Sequence, residues 1–351
     1  MKSNIDATNQ TRWRTQRRIG VGAPHAMAWH LGGNPQGEPW LLLHGGPGSG
    51  ANPGLMAPLD LARHRAIAPD QRGCGESRPR GATQRNHTAA LVRDLEQLRE
   101  RLGLARWSVL AGSWGSVLAL AYARAHPTRV DRLVLRGAFA LTQREIAGLL
   151  RGQGYGQTLS VAGLLWPQSG GVPMPALLAR LRQLFQGGTP SVAGLRAARR
   201  WALCESRAAA HGMWKAWLHA SRPTPPLRQA WGLQRRRERR LAAEATRRPG
   251  AADRRLLDRL RIQRHYLAHR GFLRPGALDR AVMSLAHQGI RVDWVHGRHD
   301  AVCPPRNSRR WAAMGARIAP DRVSLSLTGA GHLGHEPATL AALRDRVRAG
   351  A

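Results

Sequence analysis

A serine at position 113 stands where an apolar run meets a helix-forming one. Ser108 to Tyr122 reads S-V-L-A-G-S-W-G-S-V-L-A-L-A-Y. This pattern predicts a strand, a sharp turn and a helix, with Ser113 on the turn in the manner of a nucleophile elbow. Such a turn demands small neighbours, and Ala111 and Gly115 supply them. The usual G-x-S-x-G string is met except that Ala111 carries one methyl group more than glycine. Two further side chains follow apolar runs in the same way. Asp300 comes shortly after Arg291-Val292-Asp293-Trp294-Val295-His296-Gly297, and His332 shortly after Val323 to Leu327 and a glycine turn. A serine is a poor nucleophile at its own pKa. A histidine that takes its proton, oriented by a carboxylate, makes it competent for acyl transfer. Backbone N–H groups of Trp114 and of the loop Gly45-Gly46 are the expected donors to the oxyanion that forms.

Competing residues are fewer than the types suggest. Asp293 lies inside a strand, a poor place for a catalytic loop residue. His335 stands three residues after His332, but with only Glu336 nearby the pair lacks the ligands for a metal site. No metal is expected from these residues. Cys303 reads as a packed thiol and His44 as a residue that shapes its loop.

These side chains need a scaffold that brings them together, and the chain supplies one. Trp40 to Leu43 is a wholly apolar run suited to a buried strand. It leads into His44-Gly45-Gly46-Pro47-Gly48. Arg65 to Ala68 gives a second strand, followed by the polar turn Asp70 to Ser77. Residues 86–102 form an amphipathic helix, with Leu91, Leu95, Leu98 and Leu102 on one face. The elbow strand and helix follow, then Val130 to Leu135. Strand and helix alternate, as in a doubly wound, mostly parallel sheet. In such a sheet the strand C-termini share one edge, so Ser113, Asp300 and His332 can meet there. From about 140 to 285 the spacing turns helical, and this span holds Trp166, Trp201, Trp214, Trp217 and Trp231. The expected organisation is a core over 18–139, a helical cap over 140–285 and the rest of the core over 286–351. Residues 1–17 read as a polar arm. Ser…Asp…His is also the chain order of α/β-hydrolases.

Charge is the unusual feature. Lys and Arg number 55 against 21 Asp and Glu, a formal net charge of +34. Nearly all the cations are arginine, densest between Gln234 and Arg264. Such a field attracts anions non-specifically. No nucleic-acid-binding motif is present, so the run reads as a solvated helix face and no specific nucleic acid is expected. Three scattered cysteines make no disulfide framework. The N-terminal stretch lacks the apolar segment of a signal peptide, and no run is long enough to cross a membrane. A cytoplasmic protein is expected.

The motifs together resemble the proline iminopeptidase (prolyl aminopeptidase) family of α/β-hydrolase serine peptidases. The matching strings are H-G-G-P-G at His44–Gly48, D-Q-R-G-C-G at Asp70–Gly75 and G-S-W-G at Gly112–Gly115. V-H-G-R-H-D-A-V-C-P-P at Val295–Pro305 and G-A-G-H at Gly329–His332 complete the set. The resemblance implies release of N-terminal proline from peptides without a metal or organic cofactor, with Ser113, Asp300 and His332 as triad and the helical insertion as a cap. It also implies that a cap string W-x-x-W-E supplies a glutamate to the substrate's amino group, with a second from a string like R-I-E-N-H-Y-F. Aligned on Trp214-Lys215-Ala216-Trp217-Leu218, the first acid is Leu218. In Arg261-Ile262-Gln263-Arg264-His265-Tyr266-Leu267 the second is Gln263. Trp214, Trp217, Leu218 and Gln263 are therefore the expected substrate-binding residues, in a pocket lacking its acids. Glu205 lies roughly 140° around a continuous helix from Leu218 and is not the expected substitute. The family's tyrosine before the aspartate is His299 here. The readings are a prolyl aminopeptidase acting on small peptides, or a relative turned to neutral or N-blocked esters and amides. A non-catalytic anion-binding protein would not need the Ser–Asp–His set.

Overall fold

The computed structural model describes residues 13–151, 173–186, 191–220, 222–247 and 250–349. Residues 1–12 of the expected arm, and Trp166, lie outside them. Strands are β1 (Arg14–Thr15), β2 (Ile19–Gly20), β3 (Ala26–Met27), β4 (Trp29–Gly33), β5 (Glu38–Leu43) and β6 (His64–Pro69). They continue with β7 (Trp107–Gly112), β8 (Val130–Arg136), β9 (Arg291–Gly297) and β10 (Val323–Thr328). The large sheet has the order β1-β4-β6-β5-β7-β8-β9-β10. β1–β4 and β4–β6 are antiparallel; every neighbour pair from β6 to β10 is parallel. β1 corrects the expected arm, since Arg14 and Thr15 pair with Leu31 and His30, and Trp13 stacks on the His30 ring.

Central strands are apolar because both faces are covered. Trp40 to Leu43 of β5 and all of β7 are buried. Each fully buried leucine there contributes about 1.5–3 kcal/mol. The covering helices are α1 (Thr88–Arg101) and α2 (Trp114–Ala125), then, between β8 and β9, α3 (Gln143–Arg151), α4 (Met174–Phe185), α5 (Val192–Leu218), α6 (Pro225–Thr246), α7 (Ala251–Ala268) and α8 (Ala277–His287). α9 (Arg306–Ala316) and α10 (Pro337–Arg348) follow. Among the described residues the whole span between β8 and β9 carries no strand. Ser191 and Thr224 cap α5 and α6 by accepting from Gly194 N and Leu227 N.

Two details bear on the expected cap. α8 packs on α2 and α9, in the layer that flanks the sheet, although the range 140–285 had put most of it above the strand ends. Meanwhile α4, α5 and α7 pack on one another, and α6 on α5. Arg199 of α5 forks onto both oxygens of Asp253 on α7 at 2.9 and 2.7 Å, tying these two helices together. α7 also reaches the core, where the Tyr266 ring lies 4.7 Å from that of Trp114. Much of the arginine run is a solvated face, as on α6, where Arg235, Arg236, Arg239 and Arg240 are exposed.

Candidate active site

The elbow is strained where the chemistry needs it. Ser113 adopts φ 56° and ψ −127°, a conformation L-residues avoid, between the end of β7 and the start of α2. Gly115 explains the tightness: a Cβ there would sit 2.5 Å from the Leu43 carbonyl oxygen. Ala111, the departure from the usual string, lies within β7 opposite Leu43 and Leu135, where a methyl group fits. The Gly45 backbone passes close by, 3.4 Å from the Ser113 Cβ measured from where its own Cβ would be. The Trp114 N–H opens α2, in the first turn that lacks intrahelical acceptors.

His332 and Asp300 meet at the same sheet edge. His332 Nδ1 lies 2.7 Å from Asp300 Oδ2. Asp300 Oδ1 accepts from the N–H groups of Val302 and Cys303, both at 2.8 Å. Burial alone would raise the Asp300 pKa. The charge of His332 and hydrogen bonds from His296 and His332 outweigh it and hold this carboxyl well below its usual range. Sequence reasoning passed over His296, which is fully buried in β9 with Nε2 3.3 Å from Asp300 Oδ2. Its Nδ1 meets Ser308 Oγ at 2.7 Å, which fixes the ring behind the aspartate.

Ser113, His332 and Cys303 line one cavity of about 560 Å³. Burial, with the Asp300 and Glu145 charges adding, pushes the Cys303 thiol well up, and the Ser113 hydroxyl acts against that shift. Phe139, Leu149 and Val302 form apolar wall, and α5 and α7 close the cavity with Ala202, Glu205, Leu256 and Arg259 among others.

Here the expected substrate-binding residues need correction. Trp214 and Leu218 are 41% and 57% exposed, and neither they nor Trp217 line the cavity. Because α5 is one unbroken helix, turning Leu218 to solvent leaves the other side, with Glu205, facing the catalytic edge. The string W-x-x-x-E occurs at Trp201-Ala202-Leu203-Cys204-Glu205, with Cys204 where the family has its second tryptophan. Trp201 is fully buried and anchors that register. An acid four residues after a tryptophan was the signal; the paired tryptophans at Trp214 and Trp217 obscured it. Gln263 is buried just behind, and its Nε2 donates to Glu205 Oε1. Arg259 Nη2 donates to Glu205 Oε2 at 2.6 Å. Glu205 is thus shared between an arginine and an amide, in a cavity that Glu76 and Asp258 also line. Glu145 is occupied elsewhere, accepting from Ala140 N, Thr142 and Asn307.

Glu336 holds the His332 loop. It is 1% exposed, and its two oxygens accept from Gly331 N at 2.7 Å and Leu333 N at 2.9 Å, on either side of His332. Arg136 Nη1 donates to the His332 carbonyl. Burial, with the Asp300 charge adding, pushes the Glu336 carboxyl up to about 7. In the folded chain it therefore keeps its proton to higher pH than when unfolded, and folding binds a proton between roughly 4.5 and 7. Stability tied to this group is fully present below that window and is lost as pH rises through it. Urea unfolding across the window should show wild type losing up to about 3 kcal/mol relative to Glu336→Gln. A pH-independent difference between the two would count against this role.

The profile of the α/β hydrolase fold family matches residues 38–338. The proline iminopeptidase of Xylella fastidiosa (strain 9a5c) is 33% identical over 327 residues, covering 91% of each chain. That of Neisseria meningitidis serogroup A (strain Z2491) is 33% identical over 329 residues, covering 93% of each. Among solved structures, esterase E22 superposes with a TM-score of 0.59 at 16% identity over 95% of this chain and 98% of its own, a likeness of fold. With the elbow, the aspartate–histidine pair and the loop Gly45-Gly46 at one sheet edge, and similarity running through nearly the whole length, the chain belongs to the proline iminopeptidase family of α/β-hydrolases.

Proposed function

We propose that this protein is a serine aminopeptidase that releases N-terminal proline from small peptides through an acyl-enzyme. The observation that carries the reading is Glu205: a carboxylate lining the cavity that also holds Ser113 and His332. A free α-ammonium group entering that cavity trades water for this acid. The reading of an amine site without an acid, which favoured neutral or N-blocked substrates, rested on Leu218 together with Gln263, and Glu205 beside Gln263 argues against it.

In this mechanism Asp300 keeps the proton on His332 Nδ1, so Nε2 is free to act as base. Ser113 gives up its proton to His332 Nε2 and attacks the prolyl carbonyl. The N–H groups of Trp114 and of Gly45-Gly46 receive the oxyanion, each such donor being worth about 10²–10³ in rate. His332 then protonates the leaving amine, and water attacks the prolyl ester by the same route in reverse. Phe139, Leu149 and Val302 offer the pyrrolidine ring an apolar wall. Cys74 and Cys303 are buried free thiols, which fits work in a reducing cytoplasm. The test compares proline amide with N-acetylproline amide on wild-type protein. Cleavage of the free amine at far higher kcat/KM supports the reading. Equal or better cleavage of the blocked amide would replace it with the neutral-substrate alternative.

A further inference from the structure

Among the described residues, four of the five most buried arginines pair with a carboxylate. Among the described residues five arginines are less than a tenth exposed: Arg72, Arg99, Arg132, Arg199 and Arg264. Arg72 pairs with Asp94, Arg99 with Glu96, Arg132 with Glu38 and Arg199 with Asp253. Arg264 is 7% exposed and has no carboxylate in ion-pairing distance among the described residues. Its charged neighbour is another cation, Arg182, and burial together with Arg182 pushes its guanidinium pKa down. A desolvated cation without a counter-charge is strongly disfavoured, and a second cation beside it makes the position worse.

Arg264 faces a cavity separate from the one at Ser113. This second cavity, of about 860 Å³, opens between α3, α4 and α7. Arg144, Arg182 and Arg270 line it with Arg264, and no aspartate or glutamate does so among the described residues. Leu178 and Leu267 supply apolar wall. A guanidinium presents a planar fork of donors that matches carboxylate or phosphate oxygens. Several such forks beside an apolar wall select a ligand with an anionic head and a hydrocarbon body.

We propose that this cavity binds a small amphiphilic anion, its acidic head on Arg264 and Arg182 and its apolar body against Leu178 and Leu267. A medium-chain carboxylate and an alkyl phosphate share the required chemistry. Bound there, the anion supplies the counter-charge that the described residues do not.

The test is calorimetric titration of the full chain with octanoate, octyl phosphate, inorganic phosphate and the neutral octyl glucoside, at low and moderate ionic strength. At least one of the two octyl anions should bind with one-to-one stoichiometry, and whichever binds more tightly identifies the head group. Arg264→Gln and Arg182→Gln should each weaken it by about tenfold or more. Arg309→Gln, on the exposed face of α9, should leave it unchanged and so controls for the general positive field. Without ligand, Arg264→Gln should raise Tm, because it removes an uncompensated buried charge; an arginine that serves only packing would lower it. Arg182 is exposed, so its variant keeps the test open should Arg264→Gln fold poorly. Absence of saturable binding, or binding indifferent to both substitutions, overturns the site. Inorganic phosphate or octyl glucoside binding as tightly as the octyl anions overturns the ligand class.

Discussion

Ser113→Ala should fold as wild type does and lose hydrolysis of proline amide by on the order of 10⁴- to 10⁶-fold. In the proposed mechanism the hydroxyl is the one atom group at the elbow that bonds to substrate, while the strained backbone that presents it depends on Gly115 and the close-packed Leu43 carbonyl. Removing Oγ therefore deletes chemistry and spares architecture. Asp300→Asn should cost about 10⁴-fold by a different route, since an amide presents the wrong group to His332 Nδ1 and frees the imidazole to take the wrong tautomer. With the amide nitrogen on the His332 side, the amide oxygen still accepts the two backbone N–H groups that Oδ1 holds, so the loop should keep its fold. The double variant should be little slower than Ser113→Ala alone, as expected for residues acting as one unit. Single-turnover assays with circular dichroism on each variant check this. Substantial prolyl amidase activity in well-folded Ser113→Ala would remove the serine from the mechanism.

The strands and the elbow were legible because buried strands in a parallel sheet must be apolar on both faces. Runs such as Trp40 to Leu43, each followed by glycine and polar residues, mark strand ends without any knowledge of the fold. The order of Ser113, Asp300 and His332 then follows from the shared edge. What resisted reading has a common cause. His296 lies inside a strand as an apolar residue would, and only the register of β9 beside Asp300 turns it into a support. Glu205 and Leu218 share one long helix whose outward and inward faces both carry tryptophan and alanine. The angle of roughly 140° between them is right for a continuous helix, but nothing local says which of the two faces inward. Packing of α5 against α4 and α7 decides that, through the Trp201 ring on Phe185 and the Arg199–Asp253 pair. The placement of α8 beside α2 is likewise a tertiary outcome, invisible in an amphipathic pattern that suits either layer.

Glu205→Gln should lower kcat/KM for proline amide by about 10²–10³ and leave N-acetylproline esters within a few-fold of wild type. A desolvated ammonium loses the carboxylate that Gln263 and Arg259 hold at the cavity wall, a loss typically of about 2–5 kcal/mol. Arg259 would then be unpaired in the free protein, so the double variant Glu205→Gln, Arg259→Gln separates a lost anchor from an exposed cation. If the amine anchor is what matters, the double variant stays as slow as the single one on the free amine. The converse substitution is Gln263→Glu. It places a second carboxylate beside the first, and like charges at that distance repel in the empty site. The variant should therefore melt earlier than wild type, yet cleave the free-amine substrate about tenfold better, because the incoming ammonium relieves the repulsion that the fold alone cannot. Leu218→Glu, on the exposed side of α5, should change neither substrate. Equal slowing of free and blocked substrates by Glu205→Gln would show a structural role for the acid. A gain from Leu218→Glu would put the amine site at the other end of the helix and return the register of α5 to question.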